Sequence, residues 1–259
     1  MNNTVVEKRA IPTLKNMQQV YENYTAEDHL VWKILFDKQI KNINQYATQS
    51  YIEGLQLIEF RNDRIPNFCR VNQVLEQITG WELVAVEGIV DDQLFFELLA
   101  DKKFPATTWV RKMNELDYLE EPDMFHDVFA HVPLLVNQQF VDFLEKLAKI
   151  ALKHIDKSWA IQLISRIYWF TVEFGLIEEN GELKIYGAGI LSSAGETLFS
   201  VSKDPVHHTF DVERMFDTGY KKDHFQKEYF ITESFEDLYS SIEQIEHALD
   251  SILRIKVEM

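Results

Sequence analysis

The sequence predicts an α+β fold that is mainly helical with minor short strands, and three observations predict it. Apolar residues recur at three- and four-residue steps over most of the chain, apolar/polar alternation is confined to brief runs, and nine glycines and six prolines in 259 residues leave few places to break a helix. With 46% apolar and 26% charged residues, a chain of this size removes roughly 70–75% of its unfolded surface from water and needs no disulfide staples. No Ser/Gly/Pro-rich linker, solenoid repeat or low-complexity tract divides it, so residues 26–259 are expected to form one domain. Residues 1–25, broken by Pro12 and weakly periodic, read as an N-terminal arm.

The elements follow in order. Thr25 is placed to cap a helix carrying Leu30, Ile34, Leu35 and Phe36, and Leu55, Leu57 and Ile58 belong to a second, both expected to face the core. Residues 81–86 alternate weakly and run out toward Gly88, which suits a short strand, and residues 94–99 resume a helical pattern. Residues 140–152 and 159–174 are helical, and a last helix starts near Glu233. Asn180-Gly181, between Ile177 and Leu183, is a hairpin-turn signal, and Tyr186-Gly187-Ala188-Gly189 is a second interruption. In the last helix Leu238, Ile242, Ile245, Leu249 and Ile252 form a stripe barely two heptads long, explained as well by packing on the chain's own core as by a dimer seam.

Charge narrows the partners. Twenty-six basic and 42 acidic residues give −16, and without a Lys/Arg run the chain offers no footprint for nucleic acid or an anionic membrane. That charge also disfavours self-association at low salt, so a monomer is expected. The single cysteine, Cys69, cannot form an internal disulfide, no stretch approaches the ~20 apolar residues of a membrane helix, and residues 1–13 lack the apolar centre of a secretion signal. A cytoplasmic location is the expectation.

Chemistry concentrates in residues 121–134, EPDMFHDVFAHVPL, where His126 and His131 stand five apart among apolar residues. On a regular helix a five-residue step turns a side chain by about 140°, whereas the four-residue step of a zinc-protease pair turns it by about 40°. The two imidazoles therefore converge only if the helix unwinds near its end, and Pro133 supplies a reason for that. Glu173 sits in the aromatic run YWFTVEFGL, where an unpaired charge is costly and a cation is an economical partner. Two imidazoles and a carboxylate suit iron(II) with open positions; zinc with a water, or a buried pair between Arg166 and Glu173, remains open on residue type.

Four ordered blocks give the sequence a wider resemblance. Residues 116–135 (LDYLEEPDMFHDVFAHVPLL), 167–176 (IYWFTVEFGL), 186–196 (YGAGILSSAGE) and the series Gly80-Trp81, Phe104-Pro105, Trp109-Val110-Arg111 resemble the aromatic amino acid hydroxylases, most closely the short bacterial phenylalanine hydroxylases, from about residue 51 to 238. The resemblance implies an iron(II)- and tetrahydropterin-dependent monooxygenase that hydroxylates L-phenylalanine to L-tyrosine with O2 through an iron(IV)-oxo species. It makes His126, His131 and Glu173 the iron ligands, with Tyr168 and Ser192 orienting the site and Ser192 bonded to a ligand histidine. Phe95 falls where the family stacks a ring on the pterin, and Gly88, Ile89 and Val90 match the loop that reads the pterin edge. Arg111 matches the arginine that clamps the substrate carboxylate, itself held by Asp123. Pro122, Trp169 and Phe174 would wall the substrate ring, and Gly189, Ser192 and Ser193 would lie on the loop over the amino acid backbone. The family's N-terminal regulatory domain and C-terminal assembly helix are not expected in this chain.

Ala130 departs from the family's usual glycine, a change that costs on the order of 1 kcal/mol if the position needs positive φ and nothing if it is helical. Residues 216–224 fit the family loosely, so nothing that tunes ring specificity is carried over there. Four competing readings are hydroxylation of tryptophan within the same family, a metal phosphohydrolase using the His126-Asp127 pair, zinc-dependent hydrolysis of another kind, and a non-catalytic binding module on the same fold.

Overall fold

At Thr25 the chain turns from extended to helical through a reciprocal cap. The Asp28 backbone N–H donates to the Thr25 hydroxyl at 3.2 Å, and the Thr25 N–H donates to the Asp28 carboxylate at 2.8 Å. The computed structural model describes residues 17–116, 119, 121–222 and 224–258, so residues 1–16 of the expected arm lie outside it. Helix α1 (Ala26–Tyr46) buries Val31, Trp32, Leu35, Phe36, Gln39 and Ile43. Leu30, expected to face inward, lies off that stripe and is 49% exposed. Helix α2 (Gln49–Leu57) buries Tyr51, Gly54 and Leu55, with Ile58 buried just past it, whereas Leu57 turns to solvent. A Cβ on Gly54 would stand 1.9 Å from the Pro133 carbonyl oxygen, so only glycine lets α2 lie against the turn that follows His131.

Helix α3 (Phe68–Ile78) leads into strand β1 (Glu82–Val86), helix α4 (Asp92–Ala100) and strand β2 (Lys103–Thr107), with β1 and β2 parallel in the register Leu83 to Phe104. The short strand expected at residues 81–86 is therefore half of a βαβ unit. Beyond it come a π-helical segment (Phe125–Ala130), a 3-10 turn (Val132–Val136), helix α5 (Gln138–Lys153) and helix α6 (Ser158–Tyr168). The helix expected over residues 159–174 changes winding at Trp169, where a second π-helical segment (Trp169–Glu173) begins.

Strands β3 (Leu176–Glu179) and β4 (Glu182–Ile185) form the hairpin that Asn180-Gly181 predicts, with φ of 56° and 77° at the two turn residues. Helices α7 (Ala188–Leu191) and α8 (Ala194–Ser200) lead to β5 (Val206–Thr209), α9 (Val212–Asp217) and β6 (Glu228–Thr232). The second sheet has the order β4-β3-β6-β5, with β6 parallel to both neighbours.

The chain ends in two helices rather than one, α10 (Phe235–Ser240) and α11 (Ile242–Glu258), separated at Ser241. Leu238, Ile242, Ile245 and Leu249 are buried against the chain itself, where α11 packs on α5 and α9, so the stripe is core. The core's centre is aromatic: Phe125 stacks on Phe129 with centroids 4.4 Å apart, and Trp32 meets Phe125 edge-on at 5.5 Å. No helix among the described residues is long and apolar enough to cross a membrane.

The cap makes a direct prediction. Thr25→Ala should lower unfolding free energy by about 1 kcal/mol, read from a denaturant midpoint at unchanged slope, whereas Thr25→Ser should leave it near the parent value. An unmoved midpoint in Thr25→Ala would show that the cap is idle.

Candidate active site

Both π-helical segments exist where chemistry-bearing side chains are needed. In a π-helix the hydrogen bond spans five residues and the winding is wider than in an α-helix, so residues five apart stand far closer to alignment than the ~140° of regular helix, and His126 and His131 turn toward a common side. The required unwinding is thus present, but it lies over Phe125–Ala130, ahead of Pro133, which instead opens the 3-10 turn. Ala130 sits inside this segment, buried and outside the positive-φ region, so alanine carries no backbone penalty there. In the second segment the Phe174 N–H donates to the Trp169 carbonyl at 2.8 Å, again a five-residue span, and Glu173 projects toward the histidines.

The ligand atoms of three residues converge. His126 Nε2 and His131 Nε2 are 3.3 Å apart, Glu173 Oε1 is 3.3 Å from His131 Nε2, and Glu173 Oε2 is 3.5 Å from His126 Nε2. All lie within 4.8 Å of one another, which makes this a group that could hold a metal ion. Burial pushes the His126 imidazole below its ordinary pKa and so favours the neutral ring. Burial alone would raise the Glu173 carboxyl, but His131 and His126 beside it, with a backbone hydrogen bond from Gly189, hold it below the usual range. Neutral imidazoles and an ionised carboxylate are the forms that bind a divalent cation, and without a thiolate the set suits iron(II). With Nε2 offering its lone pair, His126 carries its proton on Nδ1, which donates to Ser192 Oγ at 3.0 Å.

Two competing pairings fail on geometry. Arg166 donates to the Phe216 carbonyl, so it does not pair with Glu173. Asp127 points to β2, where its Oδ2 accepts from the Thr107 N–H at 2.8 Å and hydroxyl at 2.9 Å, so His126-Asp127 is not a pair of ligands. Burial raises the Asp127 pKa, and Thr107 opposes that shift.

Arg111 and Asp123 are paired. Arg111 Nε donates to Asp123 Oδ2 at 2.9 Å and Nη2 to Oδ1 at 2.8 Å, and the Arg111 backbone N–H adds a bond to Oδ2 at 3.0 Å. Asp123 is fully buried and also accepts from the His126 backbone N–H at 3.2 Å, which ties the clamp to the start of the first π-helix. Arg111 borders a cavity of 650 Å³, and His126, Glu173, Pro122, Trp169, Phe174, Gly189, Ser192 and Ser193 line it. A second cavity of 740 Å³, lined by Asp92, Gln162, Arg166 and Tyr220 among others, reaches neither histidine, whereas His126 and Glu173 border the first.

The residues matched to the pterin are less concentrated. Ile89 lines the cavity and is 72% exposed, but Gly88, Val90 and Phe95 do not border it. Phe95 packs edge-on against Tyr168 at 5.4 Å, and burial raises the Tyr168 hydroxyl well above its ordinary pKa. Sequence reasoning missed Tyr220, whose ring stacks on Trp169 at 4.2 Å, and the buried Glu196 on the cavity wall. Tyr220 lies in the stretch that fits the family loosely. Glu196 falls inside a matched block, but nothing local marks it as facing a cavity.

Residues 7–258 match the family model for biopterin-dependent aromatic amino acid hydroxylases. The chain is 44% identical over 226 residues to phenylalanine-4-hydroxylase of Chromobacterium violaceum, covering 87% of this chain and 76% of that protein. It is 43% identical over 226 residues to phenylalanine-4-hydroxylase of Ralstonia nicotianae, covering 87% and 72%. A crystal structure of the Chromobacterium violaceum enzyme with bound iron(III) and the oxidised cofactor 7,8-dihydrobiopterin aligns at TM-score 0.85 and 42% identity, over 91% of this chain and 86% of that one.

The bond from His126 to Ser192 predicts a measurable effect on metal binding. Ser192→Ala should weaken iron(II) affinity roughly 10- to 100-fold, read by anaerobic titration, with the fold retained. Unchanged affinity would detach the hydroxyl from the metal site.

Proposed function

The chain belongs to the biopterin-dependent aromatic amino acid hydroxylases, and from that premise we infer that it converts L-phenylalanine to L-tyrosine, using iron(II), a tetrahydropterin and O2. The observation that carries the reading is the convergence of His126, His131 and Glu173 beside a cavity walled by Trp169, Phe174 and Pro122 and bordered by Arg111. When bound, the iron and the reduced pterin supply the oxygen-activating chemistry and its two electrons, which no side chain of the protein provides.

The chain's own residues bind and orient. His126, His131 and Glu173 would hold the iron, three protein ligands being few enough to leave it open to substrates. Asp123 occupies Arg111 Nε and one Nη2 proton, fixing the guanidinium plane and leaving Nη1 for the carboxylate of phenylalanine. Trp169, Phe174 and Pro122 wall the ring and keep water from it, while Gly189 and Ser193 lie over the amino acid backbone. Gly88, Ile89 and Val90 read the pterin edge, and Phe95, braced by Tyr168, stacks on its ring.

Residues 26–259 form the catalytic domain and residues 1–25 an arm. The protein acts as a monomer, a reading supported by the burial of the α11 stripe in its own core. Its compartment is the cytoplasm, consistent with a single exposed cysteine.

Anaerobic loading with iron(II), followed by air, tetrahydropterin and either phenylalanine or tryptophan, should give tyrosine that depends on pterin and little hydroxytryptophan. No pterin-dependent tyrosine from iron-loaded protein would overturn the assignment. His126→Ala, His131→Ala and Glu173→Gln should each lower iron affinity and abolish turnover; stoichiometric iron with normal turnover would remove that residue from the ligand set.

Arg111→Ala should raise the KM for phenylalanine by about 10- to 100-fold and leave that for pterin within about twofold, because the lost bonds go to the amino acid carboxylate. Equal losses for both substrates would assign Arg111 a structural role instead.

A further inference from the structure

Glu196 lies in the first turn of α8, is 4% exposed and lines the cavity, yet neither the metal ligands nor the Arg111 clamp employs it. An ionisable group at that depth is costly unless partnered, and its partners are specific. Glu196 Oε1 accepts from the Tyr229 hydroxyl and from the Gln226 backbone N–H, the latter at 3.0 Å. Gln226, itself 5% exposed, passes the constraint onward. Its side-chain Oε1 accepts from the Trp169 indole Nε1–H at 3.1 Å, while Nε2 donates to the carbonyls of Lys221 at 2.8 Å and His224 at 3.0 Å. Every hydrogen-bonding group of that amide is engaged in holding either the indole or its own loop.

Trp169 is the cavity wall this network reaches. Its ring lies 4.2 Å from Tyr220, near parallel at 14°, and 4.6 Å from Phe174. Stacking sets the distance between these rings but leaves sliding and in-plane rotation soft, because ring attraction has little directional preference within the plane. A hydrogen bond to the indole N–H removes that freedom, provided its acceptor is fixed. Glu196 fixes it by holding the main chain at Gln226.

We propose that Glu196 is a positioning residue for the hydroxylation: through Gln226 it fixes the in-plane orientation of Trp169, against which the ring of phenylalanine lies. The proposal rests on the reading of the cavity as the phenylalanine site. Loosening the wall misplaces the ring relative to the metal, and a misplacement of about 1 Å can cost roughly 100-fold in productive reaction. Pterin binding, assigned to other residues, is untouched.

The test compares Glu196→Ala, Glu196→Gln, Trp169→Phe and the double variant Glu196→Ala/Trp169→Phe in the iron-loaded full chain. Glu196→Ala should raise the KM for phenylalanine about 10-fold and cut tyrosine formed per pterin oxidised several-fold, with pterin KM within about twofold. Glu196→Gln, whose amide oxygen still accepts both bonds, should restore most of the loss. In Trp169→Phe, which has no indole N–H, adding Glu196→Ala should change each quantity by less than about twofold. An undiminished effect in that background, equal movement of both KM values, or a Gln variant as impaired as the Ala variant would overturn the proposal. If Glu196→Ala does not fold, Gln226→Met carries the test, since it removes the indole's acceptor and keeps the backbone bond to Glu196; normal coupling and KM in that variant would overturn the proposal. Acrylamide quenching of the Trp169 fluorescence component, isolated by difference from Trp169→Phe in metal-free protein, should rise in Glu196→Ala and return in Glu196→Gln. That readout needs no turnover, so an inactive parent enzyme would count against the hydroxylase reading while quenching still decides the positioning; unaltered quenching would overturn it.

Discussion

A carboxylate held between two imidazoles, with little access to water, is the constraint around which the rest of this structure is arranged. Glu173, with a side chain only 14% exposed, faces Nε2 of both His126 and His131 within 3.5 Å. Such a group is stable when a positive charge or a full set of donors meets it. Each element that touches the site meets part of that requirement. The first π-helix aligns the imidazoles, the second aims the carboxylate, Ser192 sets the His126 tautomer, and Gly189 contributes a backbone N–H. Asp123 couples this centre to the Arg111 guanidinium, because one carboxylate accepts both from Arg111 and from the His126 main chain.

Close approach of backbones is the second requirement. A Cβ on Gly187 would stand 2.5 Å from the Glu173 carbonyl oxygen, so the strand leaving β4 can pass behind the ligand segment only with glycine there. The interruption at Tyr186-Gly187-Ala188-Gly189 is therefore a place where chain passes chain, and it delivers Gly189, Ser192 and Ser193 to the cavity. Local structure around the site follows from packing at the backbone level, and the π-helical winding is one more instance: each segment trades the ordinary helical repeat for a side-chain direction that function needs.

Much of this was legible in the sequence because the signals were local. The Thr25 cap, the Asn180-Gly181 turn, the strand at residues 81–86 and the His126, His131 and Glu173 set each depend on residues close together or on a distinctive chemical type in an apolar setting. Periodicity misplaced Leu30 and Leu57, since a stripe of apolar residues gives a helix's buried face only to within about one residue. It located the need for altered winding between the histidines but attributed that to Pro133, because i→i+5 hydrogen bonding leaves no compositional mark. Tyr220 and the link from Glu196 through Gln226 to Trp169 were invisible for a different reason. They join segments far apart in sequence, and only the folded sheet brings them together.

That dispersal has a kinetic consequence. Strand β6, which carries Tyr229 and follows Gln226, pairs in parallel with β3, directly after the Glu173 segment, and parallel pairing requires the whole intervening crossover to be in place. Closing so long a loop before its contacts can reward it is slow, and during synthesis the histidines leave the ribosome well ahead of β6. All three ligand side chains precede β3 in the chain, whereas the groups that brace Trp169 follow it. A chain that extends only to the start of β6 therefore holds all three metal-ligating side chains but lacks Tyr229, the hydroxyl that helps to hold Glu196 behind the Trp169 wall.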